Sequence, residues 1–182
     1  MLMKSSTLSN LRYFFDDGSQ EILQTADRFG RSLTNLQYEG KMSFGKNWKE
    51  ACQSLRSLDD RFTSHRVLEE EIIFPFLQTH VPKLESMILL FKSENQDIKK
   101  NLEHLTLLLQ DRVGDQNDTE KLKRFEKIHK IGTYFAYLIR HHFQTKNNNF
   151  YKNALDSLSP DEIQMLEDKV KRKVGANTKK RF

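Results

Sequence analysis

His65-Arg-Val-Leu-Glu69-Glu70-Glu71-Ile-Ile-Phe-Pro75 is the stretch whose reading decides the fold. His65 and Glu69 stand one helical turn apart and therefore share a face. Leu58 and Phe62 continue that face upstream, and Ile72 and Phe76 continue it downstream. A row with this three-and-four spacing marks a helix packed on one side. A His and a Glu at this separation are usually a surface pair, but the apolar row turns this one inward. Buried there, an imidazole and a carboxylate are costly unless paired or metal-bound. Pro75 cannot donate to the helix ladder and predicts a kink or an end at that point.

Working outward, the same periodicity predicts three more long helices. One spans about residues 19 to 37, with Ile22, Ala26, Phe29, Leu33 and Leu36 in its row. The central quotation belongs to a second, running from near residue 47 toward residue 77. A third covers about residues 83 to 111, with Phe91, Asn95, Ile98, Leu102 and Leu105. The fourth covers about residues 119 to 155, with Phe135, Ile139, His142, Lys146 and Asn149 on its inner row. Tyr38-Glu-Gly-Lys-Met-Ser-Phe-Gly45 reads as a loop because of its two glycines, and the polar residues 113 to 118 read as another. Ser159-Pro160-Asp161-Glu162 places a Ser cap, a first-turn Pro and a capping-box Glu, so a fifth helix starts there and is expected to end near Lys173. The fold class is all-α: an up-down four-helix bundle with an additional C-terminal helix. Three regions follow: an extension over residues 1–18, the bundle over 19–173 and a basic tail over 174–182.

The bulk properties agree. Only 7 Gly and 3 Pro in 182 residues disfavour a strand-and-turn architecture. Mean hydropathy is −0.71, and the apolar runs 72–77 and 87–91 are far below the ~20 residues of a membrane span. The opening MLMKSSTLSN lacks the apolar core of a secretory signal, which points to the cytoplasm. The single cysteine, Cys52, fits a reducing compartment and reads as a small buried side chain. The net charge of +5 belongs to the tail: residues 168–182 hold seven Lys/Arg against one Asp, +6, so the rest sums to −1. Such a tail reads first as a solvated end, and second as a weak contact for an anionic partner.

The segment His65-x-x-x-Glu69-Glu70-x-x-Ile73-Phe74-Pro75 resembles the second-helix motif of the hemerythrin-like, or HHE, domains. His142-Phe-Gln-Thr-Lys146-Asn147-x-x-Phe150-Tyr151 echoes it on the fourth helix, and Leu-Ser-Pro-Asp-Glu after that helix is similar to how the family leaves it. The resemblance covers roughly residues 19 to 173. It implies an inward His on the first and third helices and a His-x-x-x-Glu on the second and fourth, together binding two irons with bridging carboxylates. Matched position by position, His65, Glu69 and His142 are the candidate metal ligands. Ala26 and Asn95 stand at the other His places, and Lys146 stands where the second bridging carboxylate is expected. His104 lies nine residues past Asn95, about 900° around the helix, and points away. His141 is a second-choice ligand, and His80 and His129 read as solvent or interface residues.

Three ligands of six do not make a di-iron centre, whereas two His and one Glu admit a mononuclear iron or zinc ion. Lys146 argues the other way, because an ammonium is repelled by a metal ion but suits a buried Glu69 in a metal-free pocket. The set is thus open to iron, to another divalent metal, or to none. One reading is a degenerate domain acting as a regulatory or interaction module. The alternative is an iron-binding protein for oxygen or nitric-oxide sensing, iron storage or iron-centre repair. A third is a plain bundle in which His65 and Glu69 are merely paired. No phosphate loop, nucleophile elbow or CxxC supports an enzyme. The run Met87-Ile-Leu-Leu-Phe91 is the surface for a homodimer, unless one side is core and the other is covered by the fifth helix.

Overall fold

The computed structural model describes residues 4–38, 40–110 and 118–179. It is an all-helical bundle, and no strand occurs among the described residues. Helix α1 is Lys4–Tyr38 and α2 is Gly40–Leu68. A π-helical turn, Glu69–Ile73, leads into α3, Phe74–His80. A 3-10 turn, Pro82–Leu84, opens α4, Glu85–Gln110. Helix α5, Asp118–Thr145, passes through a second π turn, Lys146–Tyr151, into α6, Lys152–Ser157, and α7 is Pro160–Lys179.

Three of these bounds correct the sequence reading. The helix expected from about residue 19 starts at Lys4, and Leu11 and Phe15 are already buried. The loop expected over residues 38 to 45 is helical from Gly40, because Phe44 stacks on Trp48 at 5.8 Å and meets Phe125 edge-on at 5.2 Å. Those tertiary contacts outweigh the ~1 kcal/mol helix penalty of each glycine. The loop expected over residues 113 to 118 lies outside the described residues, except that Asp118 begins α5. At the C-terminus, α7 continues through Gly175 to Lys179 instead of stopping near Lys173. Its start is as expected: Ser159 N–H donates to Glu162 Oε2 at 2.7 Å, and Glu162 N–H to Ser159 Oγ at 3.3 Å.

The described residues gather into two compact units, each with its own core. The first lies within Met1–Gln20, Thr63–Ser93 and Gln144–Phe182. Leu11, Phe15, Phe74, Ile88, Phe91, Phe150 and, from α7, Leu166 build its core. The second is Glu21–Phe62 and Glu94–Phe143, with Phe29, Leu58, Phe62, Ile98, Leu105, Phe135 and Phe143 inside. In this second unit the expected rows of the first and third helices are buried. Helices α1 and α5 approach so closely here that a Cβ on Gly132 would lie 2.2 Å from Leu33 Cδ1. Any larger residue at 132 has to displace the end of the Leu33 side chain.

The run 87–91 divides by face: Ile88 and Phe91 are core, while Leu89 and Leu90 are exposed, so the fifth helix does not cover the outer side. No described helix is long and apolar enough to cross a membrane.

Candidate functional site

In the first unit, the row that carries His65 enters the π turn at Glu69 and leaves it shifted. Phe74 N–H bonds to the Glu69 carbonyl, five residues back instead of four. One residue is thereby added to the turn. Ile73 becomes the fully buried position and Ile72 only partly buried, the reverse of the sequence expectation. Pro75 sits in the first turn of α3, where its missing donor is tolerated, so the helix resumes instead of ending. The second π turn has the same consequence: Asn149, expected on the inner row, is exposed, and Phe150 and Tyr151 point inward in its place.

The two π turns bring Glu69, Lys146 and Tyr151 together. Lys146 Nζ donates to Glu69 Oε1 at 2.7 Å and to Oε2 at 2.8 Å, and both side chains are 0% exposed. The Tyr151 hydroxyl donates to Glu69 Oε1. His65 Nε2 lies 3.0 Å from the same oxygen. Burial alone would push the Glu69 carboxyl up, but the Lys146 ammonium, with His65 beside it, holds it well below the ordinary value of 4.5. Glu69 is therefore ionised and only accepts hydrogen bonds, so His65 donates through Nε2. Burial, and then the adjacent Glu69 charge, push the Tyr151 phenol well above 10. The Lys146 ammonium also lies 5.9 Å from the Phe91 ring centroid.

Each glutamate of the motif has its own partner: Glu70 takes Arg66 at 2.8 Å, and Glu71 takes Lys173 of α7. Tyr151 was missed as a member of the site. It lies five residues past Lys146, a separation that ordinary helical periodicity places on different faces and that a π turn brings onto one.

The other sequence candidates, Ala26, Asn95 and His142, belong to the second unit and are buried there. His142 does not stand alone: its Nδ1 lies 2.6 Å from Glu94 Oε2. Glu94 was not among the sequence candidates, and its place as His142's carboxylate partner had no periodic signal. His104 and His141 are exposed, as expected of side chains turned away from the row. His80 pairs through Nδ1 with Glu162 Oε1 at 2.9 Å and stacks on Phe76.

The donor set of the first unit does not suit a cation. Both oxygens of Glu69 are held by an ammonium, His65 Nε2 is spent on the same carboxylate, and the positive charge a metal would bring is already present. Among the described residues, no three His, Cys, Asp or Glu side chains are grouped to hold a metal ion.

A search of curated proteins finds no match. A model of one protein family, described as the hemerythrin HHE cation-binding domain, matches residues 13–154. That match spans both π turns, α2, α4, α5 and most of α1, and it takes in the candidate ligands His65, Glu69 and His142. The chain belongs to the hemerythrin HHE cation-binding domain family.

Proposed function

We propose that this protein is a degenerate member of its family, without a full di-iron site, that works as a helical regulatory or interaction module in the cytoplasm. The observation that carries this reading is the ion pair between Lys146 and Glu69, made through both carboxylate oxygens at 2.7 and 2.8 Å with neither side chain exposed. A lysine in the place of a bridging carboxylate supplies the charge that Glu69 needs, and no metal is required to compensate it. In this reading Ala26 and Asn95 are lost ligand positions, and His65 and His142 serve as hydrogen-bonding residues. The exposed Leu89 and Leu90 suit self-association, and the basic tail suits weak contact with an anionic partner.

The alternative reading is an iron-binding protein with a reduced, mononuclear site, engaged in gas sensing, iron storage or iron-centre repair. Membership in a cation-binding family favours it, and it uses His65, Glu69 and His142 as ligands. Metal analysis of the protein expressed with iron or zinc supplied separates the two. Less than a tenth of an equivalent, roughly, is the expected result. About one equivalent, lost in His65→Ala, overturns the module reading in favour of the iron protein.

A further inference from the structure

In the second unit, α1 and α5 meet along small residues, and one stretch of that seam is left open. At Gly132 the seam is closed by Leu33, but one turn along α5 it is lined by Ala136, with Ala26 and Gly30 across from it on α1. A Cβ on Gly30 would lie 3.9 Å from Ala136 Cβ, an ordinary contact, so the two backbones stand far enough apart here to admit side chains that are absent. Ala26 and Gly30 share a face of α1, and Asp27 and Arg31 stand beside them as one rim. Ala136 and Arg140 repeat the arrangement on α5 and supply the other rim. The result is an open groove of about 470 Å³. Sites for small molecules run from roughly 300 to 1,000 Å³, so the groove is large enough to be one. Part of its depth has a cause in the sequence: Ala26, 2% exposed, offers only a methyl group where the family resemblance expects an imidazole.

The rims carry two guanidinium groups and one carboxylate, so the groove has a net charge of one positive. Arg140 Nη2 donates to Asp27 Oδ1 from helix to helix. Arg31 donates from Nε to the Asp27 carbonyl at 3.4 Å, a bond that does not use its two terminal nitrogens.

We propose that this groove binds a small organic monocarboxylate, with the carboxylate on Arg31 and the apolar body on Ala26, Gly30 and Ala136. A guanidinium fork matches the two oxygens of a carboxylate in geometry as well as charge. One net positive charge suits a monoanion, and Asp27 repels a second negative charge. The alanine and glycine floor has no side-chain hydrogen bond to give, so it favours a hydrocarbon body, a short chain or a single ring, over an inorganic anion. Every residue of the groove belongs to the second unit, and the proposal holds whether or not Glu69 and Lys146 exclude a metal.

Titration of the full chain with benzoate, followed by amide NMR shifts and calorimetry, tests it. Saturable shifts centred on residues 26–34 and 136–140 are expected, with a dissociation constant on the order of 1 mM for so small a ligand. Arg31→Gln is expected to weaken binding by about tenfold, the scale of a hydrogen bond to a charged group. Asp27→Asn removes the opposing charge and releases Arg140, and is expected to strengthen binding by about two- to fivefold. Gly30→Leu fills the floor and is expected to abolish binding, while helicity is kept because leucine is the better helix former. Benzamide, the same body without the charge, and inorganic phosphate, a charge without the body, are each expected to bind about tenfold more weakly or less. Phosphate binding as tight as that of benzoate overturns the assignment, because rim charge alone then explains it. The absence of saturable shifts, or an affinity unchanged by Arg31→Gln, overturns the site. Arg31 and Asp27 are exposed, so their variants decide the matter even if Gly30→Leu does not fold.

Discussion

Lys146 is a residue that a short sequence motif would call a defect and that the structure shows in full use. Its ammonium holds both oxygens of a carboxylate from which water is excluded, with Tyr151 and His65 completing the shell. Removing one member of a buried ion pair strands the other charge, so Lys146→Ala is expected to destabilise the protein by about 3–5 kcal/mol. The joint replacement Lys146→Met with Glu69→Leu removes both charges at similar volume and is expected to recover most of that loss. Denaturant unfolding of the two variants checks it. If the double variant is no more stable than Lys146→Ala, the pair is not the unit described here. Acid acts on the same group: Glu69 is depressed below 4.5 when folded, so its contribution is complete above that pH and is lost as pH falls below it.

At the scale of elements, the departures from regular helix carry the site. Both π turns lie where the inner row meets the charge cluster, and each advances the row by one residue, to Ile73 on one side and Phe150 on the other. The capping box of α7 supplies another test. Hydrogen bonds from the Ser159 backbone and hydroxyl, followed by the His80 contact, hold the Glu162 carboxyl at about 2 instead of 4.5. A depressed carboxylate stabilises above its unfolded value, so this contribution is full above pH 4.5 and fades as pH falls toward 2. Glu162→Gln is expected to flatten that part of the acid-unfolding curve, and an unchanged curve would count against the cap as its source. Within the second unit, Gly132→Ala drives a methyl into Leu33 and is expected to cost about 1–3 kcal/mol in thermal unfolding, eased by pairing it with Leu33→Ala.

For the whole molecule, each of the two units packs around its own aromatic core. The first gathers around Phe74, Phe91 and Phe150, and the second around Phe29, Phe62, Phe135 and Phe143. A bundle held by aromatic cores and an internal ion pair is expected to melt at the same temperature with and without a strong chelator. A drop of several degrees in chelator would show that a metal contributes to folding, and would return weight to the iron-binding alternative.

The sequence by itself determined the helical class, the inward rows of the long helices and the capping box at Ser159. All of these are written in spacings of three and four residues, which local geometry enforces wherever the helix is regular. Tyr151 and the start of α1 were decided only in three dimensions. Tyr151 reaches Glu69 because a π turn changes the spacing, and no period read along the chain announces such a turn. Residues 1–18 read as an extension ahead of the bundle, yet Leu11 and Phe15 are buried in the first unit's core, where Phe15 stacks on Tyr151, more than a hundred residues away in sequence. Glu94 beside His142 is of the same kind. The site that local pattern could name lacked the members that only packing could supply.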